Sequence, residues 1–171
     1  MTADVAQADE GARRARRRGA PPPPGLGDFA GRWHVARRIV HADGSHARFR
    51  GSAVFTPEGG GLLHAETGLL WPGSAAAGVA PIRAERRYRW QPGPEGTIAV
   101  FFADGRPFHR FDPALPLPEA RHPCGADLYE VRYAFGRWPR WWSRWRVRGP
   151  RKDYVMLTIY SPAGEEDGRG E

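Results

Sequence analysis

The chain has almost no cysteine: Cys124 is the only one in 171 residues. An intramolecular disulfide is therefore excluded, as is a cysteine-rich zinc site within one chain. Long hydrophobic runs are missing too, and no segment approaches the roughly 18 apolar residues of a membrane-spanning helix. The amino end reads "RRARRRG" and then "PPPP", without the apolar stretch of a secretory signal. These scarcities lead us to expect a soluble, unexported protein of the reducing cytoplasm. Apolar residues at helical spacing are also scarce, which argues against a helical bundle.

What remains is alternation. Short runs of apolar and polar residues, bounded by Gly, Pro and Asp, recur through the chain and predict strands over Arg32–Val40, Ala47–Phe55, Leu62–Leu70, Arg83–Trp90 and Thr97–Ala103. Further strands are predicted over Arg106–Phe111, Asp127–Phe135, Arg140–Arg148 and Tyr154–Tyr160. "ADGS" (Ala42–Ser45) and "PGPEG" (Pro92–Gly96) supply turns, and Trp71–Pro81 reads as a loop. Eight or nine sequential strands with short connections suit an all-β, up-and-down antiparallel barrel, because closure removes exposed sheet edges. A sandwich is the alternative. A barrel of about eight strands has room for one small ligand.

At 171 residues a single domain is expected, over residues 28–160. Residues 1–27, rich in Ala, Arg and Pro, read as a disordered tail, and residues 161–171 as an acidic one. The net charge of +7 belongs to the folded part, where Asp28–Tyr160 holds 20 Lys/Arg against 12 Asp/Glu. Such a balance attracts polyanions. No helix-turn-helix, zinc-finger or RNA-binding signature accompanies it, so a solvated basic surface is the simpler reading. The outer series Arg140, Trp142, Arg144, Arg146 and Arg148 is the stretch on which nucleic-acid binding would rest.

The stretch "DGRPFHRF" carries the most specific local expectation. Asp104-Gly105 between alternating strands predicts a two-residue type I′ turn. Phe102 then faces Pro107, Val100 faces His109 and Ile98 faces Phe111, so His109 points to the apolar side and Phe108 away from it. Period-two reading of the other strands, with the more aromatic set inside, sends Arg37, Arg86, Asp127, Tyr129 and Tyr133 inward. Strands 62–70 and 154–160 are apolar on both faces; Glu66 and Tyr154 are placed inside to partner the arginines.

Isolated buried charges are costly, so inward arginines must pair with carboxylates, bind an anion or meet water. One reading is a structural plug of Arg37 and Arg86 with Glu66 and Asp127. The other is a pocket for an anionic, partly aromatic small molecule, held by Arg37, Arg86 and Lys152 with Glu66, His109, Asp127, Tyr129, Tyr133 and Tyr154 around it. Aromatic walls would come from Trp33, Tyr88, Phe102, Tyr129, Tyr133 and Trp145. His109 is either a satisfied core histidine or a general acid/base with Asp127 or Tyr129 as partner, which would make the protein an enzyme. His122 and Cys124 are weak metal-ligand candidates, since "RHPCGADLY" reads as a proline-containing loop without an established zinc spacing. Cys124 as a nucleophile beside His122 lacks any sign of a lowered thiol pKa. Haem on a single buried histidine has no motif behind it, and the sequence requires no cofactor.

"GRW" at Gly31–Trp33 is similar to the Gly-x-Trp that opens lipocalin and calycin barrels. In that group an arginine from the last strand packs over the tryptophan, and Arg148 or Arg151 is the candidate here. "DGRPFHRF", "HPCGADLY" and "WRVRGPRKDY" together resemble the bacterial family known as domain of unknown function 6314, over nearly all of Phe29–Tyr160. The resemblance implies a calycin-like barrel. It implies no catalytic residue, cofactor or substrate.

Overall fold

Alternation of this kind produces strands with one face for a core, and a sheet of such strands must curl round to bury it. The computed structural model describes residues 21–73 and 79–164. Its strands are β1 (Gly31–His41), β2 (His46–Glu58), β3 (Gly61–Pro72), β4 (Ile82–Pro92), β5 (Ile98–Phe102) and β6 (Pro107–Phe111). They continue as β7 (Glu119–Cys124), β8 (Asp127–Arg137), β9 (Arg140–Gly149) and β10 (Lys152–Pro162). No α-helix occurs among the described residues, and two short 3₁₀ turns, Leu26–Phe29 and Pro94–Gly96, complete the elements.

The nine expected strands are all present, and the tenth, β7, lies where a loop was expected. All ladders are antiparallel, in the order β6-β5-β4-β3-β2-β1-β10-β9-β8-β7. β1 pairs with β10 from Trp33↔Pro162 to His41↔Tyr154, which joins the chain's two halves. β6 and β7 end the order and lie against each other without ladder pairing, so the barrel is nearly closed, with one seam. Proline falls on both seam strands, Pro107 on β6 and Pro123 on β7, where an edge tolerates a missing N–H.

The barrel's two ends differ. At one, the Leu26–Phe29 turn drives Phe29 into the bore, fully buried among Phe55, Trp90, Phe135, Trp138 and Trp141 at centroid distances of 5.0 to 6.1 Å. Trp33 donates its indole N–H to the Phe29 carbonyl at 2.8 Å, anchoring the turn to β1. Trp33 is packed by Trp138 and Trp141 rather than by an arginine. Arg148 instead pairs with Glu130, and Arg151 is exposed in the β9–β10 turn, at the opposite end of β10 from Pro162.

The expected tail boundaries shift. Pro24 is buried and Leu26–Gly27 belong to the 3₁₀ turn, while Ser161 and Pro162 extend β10. Residues 1–20 and 165–171, where the remaining tail expectations fall, lie outside the described residues, as do residues 74–78 of the predicted loop. Trp71 and Pro72 of that loop belong to β3.

The β5–β6 turn differs from expectation in a way that matters for the interior. Gly105 alone takes positive φ, at 86°, and its N–H bonds to the Phe102 carbonyl at 2.9 Å, while Phe102 N–H bonds to the Arg106 carbonyl at 2.9 Å. This is a three-residue loop with glycine in the left-handed position rather than a type I′ turn. Asp104 has its own task, accepting from the Arg106 N–H at 3.0 Å. Farther along, Ile98↔Phe111 and Val100↔His109 pair as expected, but Phe101 faces Pro107, so Phe108 is an extra residue in a bulge. A bulge breaks strict alternation. Phe108 and His109 consequently both turn inward, and Pro107 is exposed.

Candidate functional site

β1 and β3 flank β2, and parity brings Arg37 and Glu66 together inside the barrel, 6% and 2% exposed. Arg37 donates from both terminal nitrogens to the two carboxylate oxygens at 2.6 and 2.7 Å, and its Nε donates to Thr158 Oγ1 at 2.8 Å. Phe49 covers the guanidinium, 4.9 Å from Arg37 Cζ to the ring centroid. The paired glycines of β2 and β3, Gly51↔Gly68, make this cover possible: a Cβ on either would lie within 3 Å of the Phe49 ring tip and closer still to opposing backbone.

Arg86 approaches the same carboxylate, with Nε 3.7 Å from Glu66 Oε1, while its side chain stays 38% exposed. Burial opposes ionisation of Glu66, but the charge and hydrogen bonds of Arg37, with Arg86 behind, outweigh it and hold the carboxyl below its usual range. Burial likewise opposes the Arg37 charge, and Glu66 more than offsets it. Two guanidiniums and one carboxylate leave a net charge of +1 in this cluster.

Above the aromatic end and beside this cluster lies a narrow cavity of about 30 Å³, room for about two waters. His64, Arg86, Trp90, His109, Tyr133 and Trp141 are among its lining residues. His109 Nε2 lies 2.8 Å from Tyr133 Oη, and its Nδ1 is buried without a partner. Burial, with His122 adding to it, lowers the His109 pKa to about 3. His64 stacks on Phe55 at 4.3 Å with both ring nitrogens unpartnered. Burial is the main cause of its pKa falling to about 4, with Arg37 and Arg86 opposing the attraction of Glu66. Both imidazoles are neutral at pH 7.

Toward the open end, Phe108 stands between Tyr88 and Trp145, at centroid distances of 5.5 and 5.1 Å and planes 14° and 4° from parallel. On its other side an open cleft of about 610 Å³ runs along the seam, with Tyr88, Phe102, Phe108, His122 and Tyr129 as its aromatic wall. Tyr88 and Phe108 line both spaces, and so separate cleft from cavity. At the rim Lys152 donates to Asp127 at 2.7 Å and to Tyr129 Oη at 2.8 Å, contacts that raise its pKa.

Several expected relationships are not assembled. His109 meets Tyr133, whereas Asp127 and Tyr129 are engaged with Lys152, so the acid/base set of His109 with Asp127 or Tyr129 does not form. A base with pKa near 3 is also poorly matched to proton transfer at neutral pH. Arg37 is engaged by Glu66 and Thr158, and Lys152 by Asp127, so the charge of each is already paired with a carboxylate. Asp127 joins the rim rather than the Arg37 cluster. Tyr154 does face inward and is half-buried near the open end, where its ring meets His41 at 5.6 Å. Trp33 belongs to the closed end instead of a pocket wall.

His122 and Cys124 lie on a strand, β7, rather than in a loop; His122 packs against Phe102 and Phe108 across the seam, and Cys124 is exposed. No group of three or more His, Cys, Asp and Glu able to hold a metal ion occurs among the described residues. Sequence reasoning did not single out His64, Trp90, Trp141 or Phe108. The first three share inward faces already identified, so the signal was available; Phe108 is hidden by the bulge.

These features define a calycin-like barrel: ten antiparallel strands, one end closed by aromatic rings, a polar cluster at mid-height and an aromatic cleft at the other end. The chain matches a family of unknown function, DUF6314, over residues 29–162, and belongs to it. No curated protein matches its sequence. Among solved structures it is similar to the S-type phycobiliprotein lyase CPES from Guillardia theta, with a TM-score of 0.59 and 8% sequence identity over 82% of this chain and 92% of that one. At such identity the likeness is one of fold. No helix among the described residues is long and apolar enough to cross a membrane.

Proposed function

We propose that this barrel is a small-molecule-binding protein for an anionic, partly aromatic ligand admitted at the end that carries Lys152. The observation that carries the reading is the net positive charge of the Arg37–Glu66–Arg86 cluster, with Arg86 partly exposed beside the cavity. An anion there would neutralise a charge that the protein leaves over. The cavity is too small for an aromatic ring, so the ring would lie in the seam cleft, whose volume is within the usual range for small-molecule sites. Displacing Phe108 would connect the two spaces.

The structural neighbour is by name a lyase, so the fold is compatible with catalysis as well as binding. Binding is favoured here because His109 has no carboxylate partner and is held far from a neutral-pH base. Fluorescence titration with 1-anilinonaphthalene-8-sulfonate, backed by native mass spectrometry of protein purified from its own host, tests the proposal. Saturable one-to-one binding or a co-purified organic anion supports it. Absence of both overturns it.

A further inference from the structure

Five buried side-chain atoms among the described residues have no hydrogen-bond partner: His64 Nδ1 and Nε2, His109 Nδ1, Trp90 Nε1 and Trp141 Nε1. All four residues line the same small cavity. Native proteins rarely leave buried polar atoms unpaired, so their concentration on residues that share one cavity points to a guest that a small side-chain adjustment brings within their reach.

The chemistry of these atoms specifies the guest. Indole nitrogens are donors only, and a neutral imidazole carries one N–H and one acceptor nitrogen. The His109–Tyr133 pair shares one hydrogen bond, so in either tautomer one of its protons lacks an acceptor. The unmet inventory is thus four donors against one or two acceptors, beside a cluster of charge +1. An acceptor-only, negatively charged group fits this excess, and the narrowness of the cavity, about 30 Å³, favours the small, planar carboxylate.

We propose that the inner cavity is a seat for a single carboxylate, with Trp90, Trp141, His64 and His109 as hydrogen-bond donors and Arg86 as its counter-charge. The assignment rests on the anionic-ligand reading above and deepens it: the ligand is an aromatic carboxylic acid, with its carboxylate innermost. A tetrahedral phosphonate or sulfonate needs more room than a planar carboxylate and should bind more weakly, and a neutral amide lacks the charge.

The test compares 2-naphthoate with 2-naphthamide and 2-naphthylphosphonate by calorimetry on the full chain, while ¹⁵N-resolved NMR follows the assigned indole N–H signals of Trp90 and Trp141. The expected result is naphthoate binding at least tenfold tighter than either analogue, with saturable shifts of both indole signals at the same midpoint. Arg86→Gln, at a partly exposed position, should weaken naphthoate tenfold or more while leaving naphthamide unchanged. Naphthoate and naphthylphosphonate binding equally, both tighter than naphthamide, or naphthoate binding that leaves both indole signals unmoved, overturns the carboxylate seat, with water then satisfying the donors, while the anionic-ligand proposal survives; naphthamide binding as tightly as naphthoate overturns both. If no probe binds and 1-anilinonaphthalene-8-sulfonate also fails, both proposals fall.

Discussion

Phe108 lies flat on Trp145, centroids 5.1 Å apart and planes 4° from parallel, and it does so only because a bulge turns it to the same side as His109. It thereby forms part of the partition between cleft and cavity. Phe108→Ala should open that partition. We expect a stability loss of about 3 kcal/mol, read from urea denaturation, together with faster association of a fluorescent anionic aromatic probe. Unchanged association kinetics would assign Phe108 to packing alone.

The Arg37–Glu66 pair is buried, bidentate and backed by Thr158. Removing one partner leaves the other charge uncompensated. Glu66→Gln should cost about 3–5 kcal/mol, whereas replacing Arg37 and Glu66 together by Met should cost much less. Denaturant midpoints of the single and double variants check this, and additive losses would contradict it.

Stability should fall below neutral pH. His64 and His109, at about 4 and about 3, lie below their ordinary value of 6.5, so between those limits the unfolded chain takes up protons that the folded one refuses. Their contribution is complete above pH 6.5 and declines as pH falls, at about 1.4 kcal/mol per pH unit for each histidine. The His64→Phe variant should show a shallower slope of denaturation free energy between pH 6 and 5. An unaltered slope would exclude His64 as a source.

The outer arginines predict weak, salt-sensitive contact with nucleic acid at most. Arg121 and Arg148 pair with Glu130, Arg132 with Glu119 and Arg146 with Asp153, so much of the charge is already answered. Filter binding to a random 30-mer DNA should show no retention at 150 mM salt. Tight binding that persists there would contradict this account of the surface.

Strand parity was highly legible because a one-residue slip would exchange the two faces. It placed Arg37, Arg86, His109 and Tyr133 on inward faces, while the arginines' need for partners placed Glu66 and Tyr154 there, on strands apolar on both faces; in the structure all six face inward. Parity failed at Phe108, where the bulge inserts a residue and no local composition announces it. β7 escaped notice because Glu119, Arg121, His122 and Pro123 make a polar, proline-bearing edge strand with no fully buried residue. Facing also says nothing about partners: Tyr133 rather than Asp127 for His109, and Asp127 rather than an anion for Lys152, depend on height along the bore. The unpaired donors of His64, Trp90 and Trp141 became visible only once β3, β4 and β9 had converged on one cavity.

The most direct test of anionic-ligand binding is calorimetric titration of 2-naphthoate into the wild-type chain and into Arg86→Gln at pH 7.5. The account predicts one saturable site in the wild type, weakened about tenfold or more by the substitution. No saturable binding, or an affinity indifferent to Arg86, would contradict it.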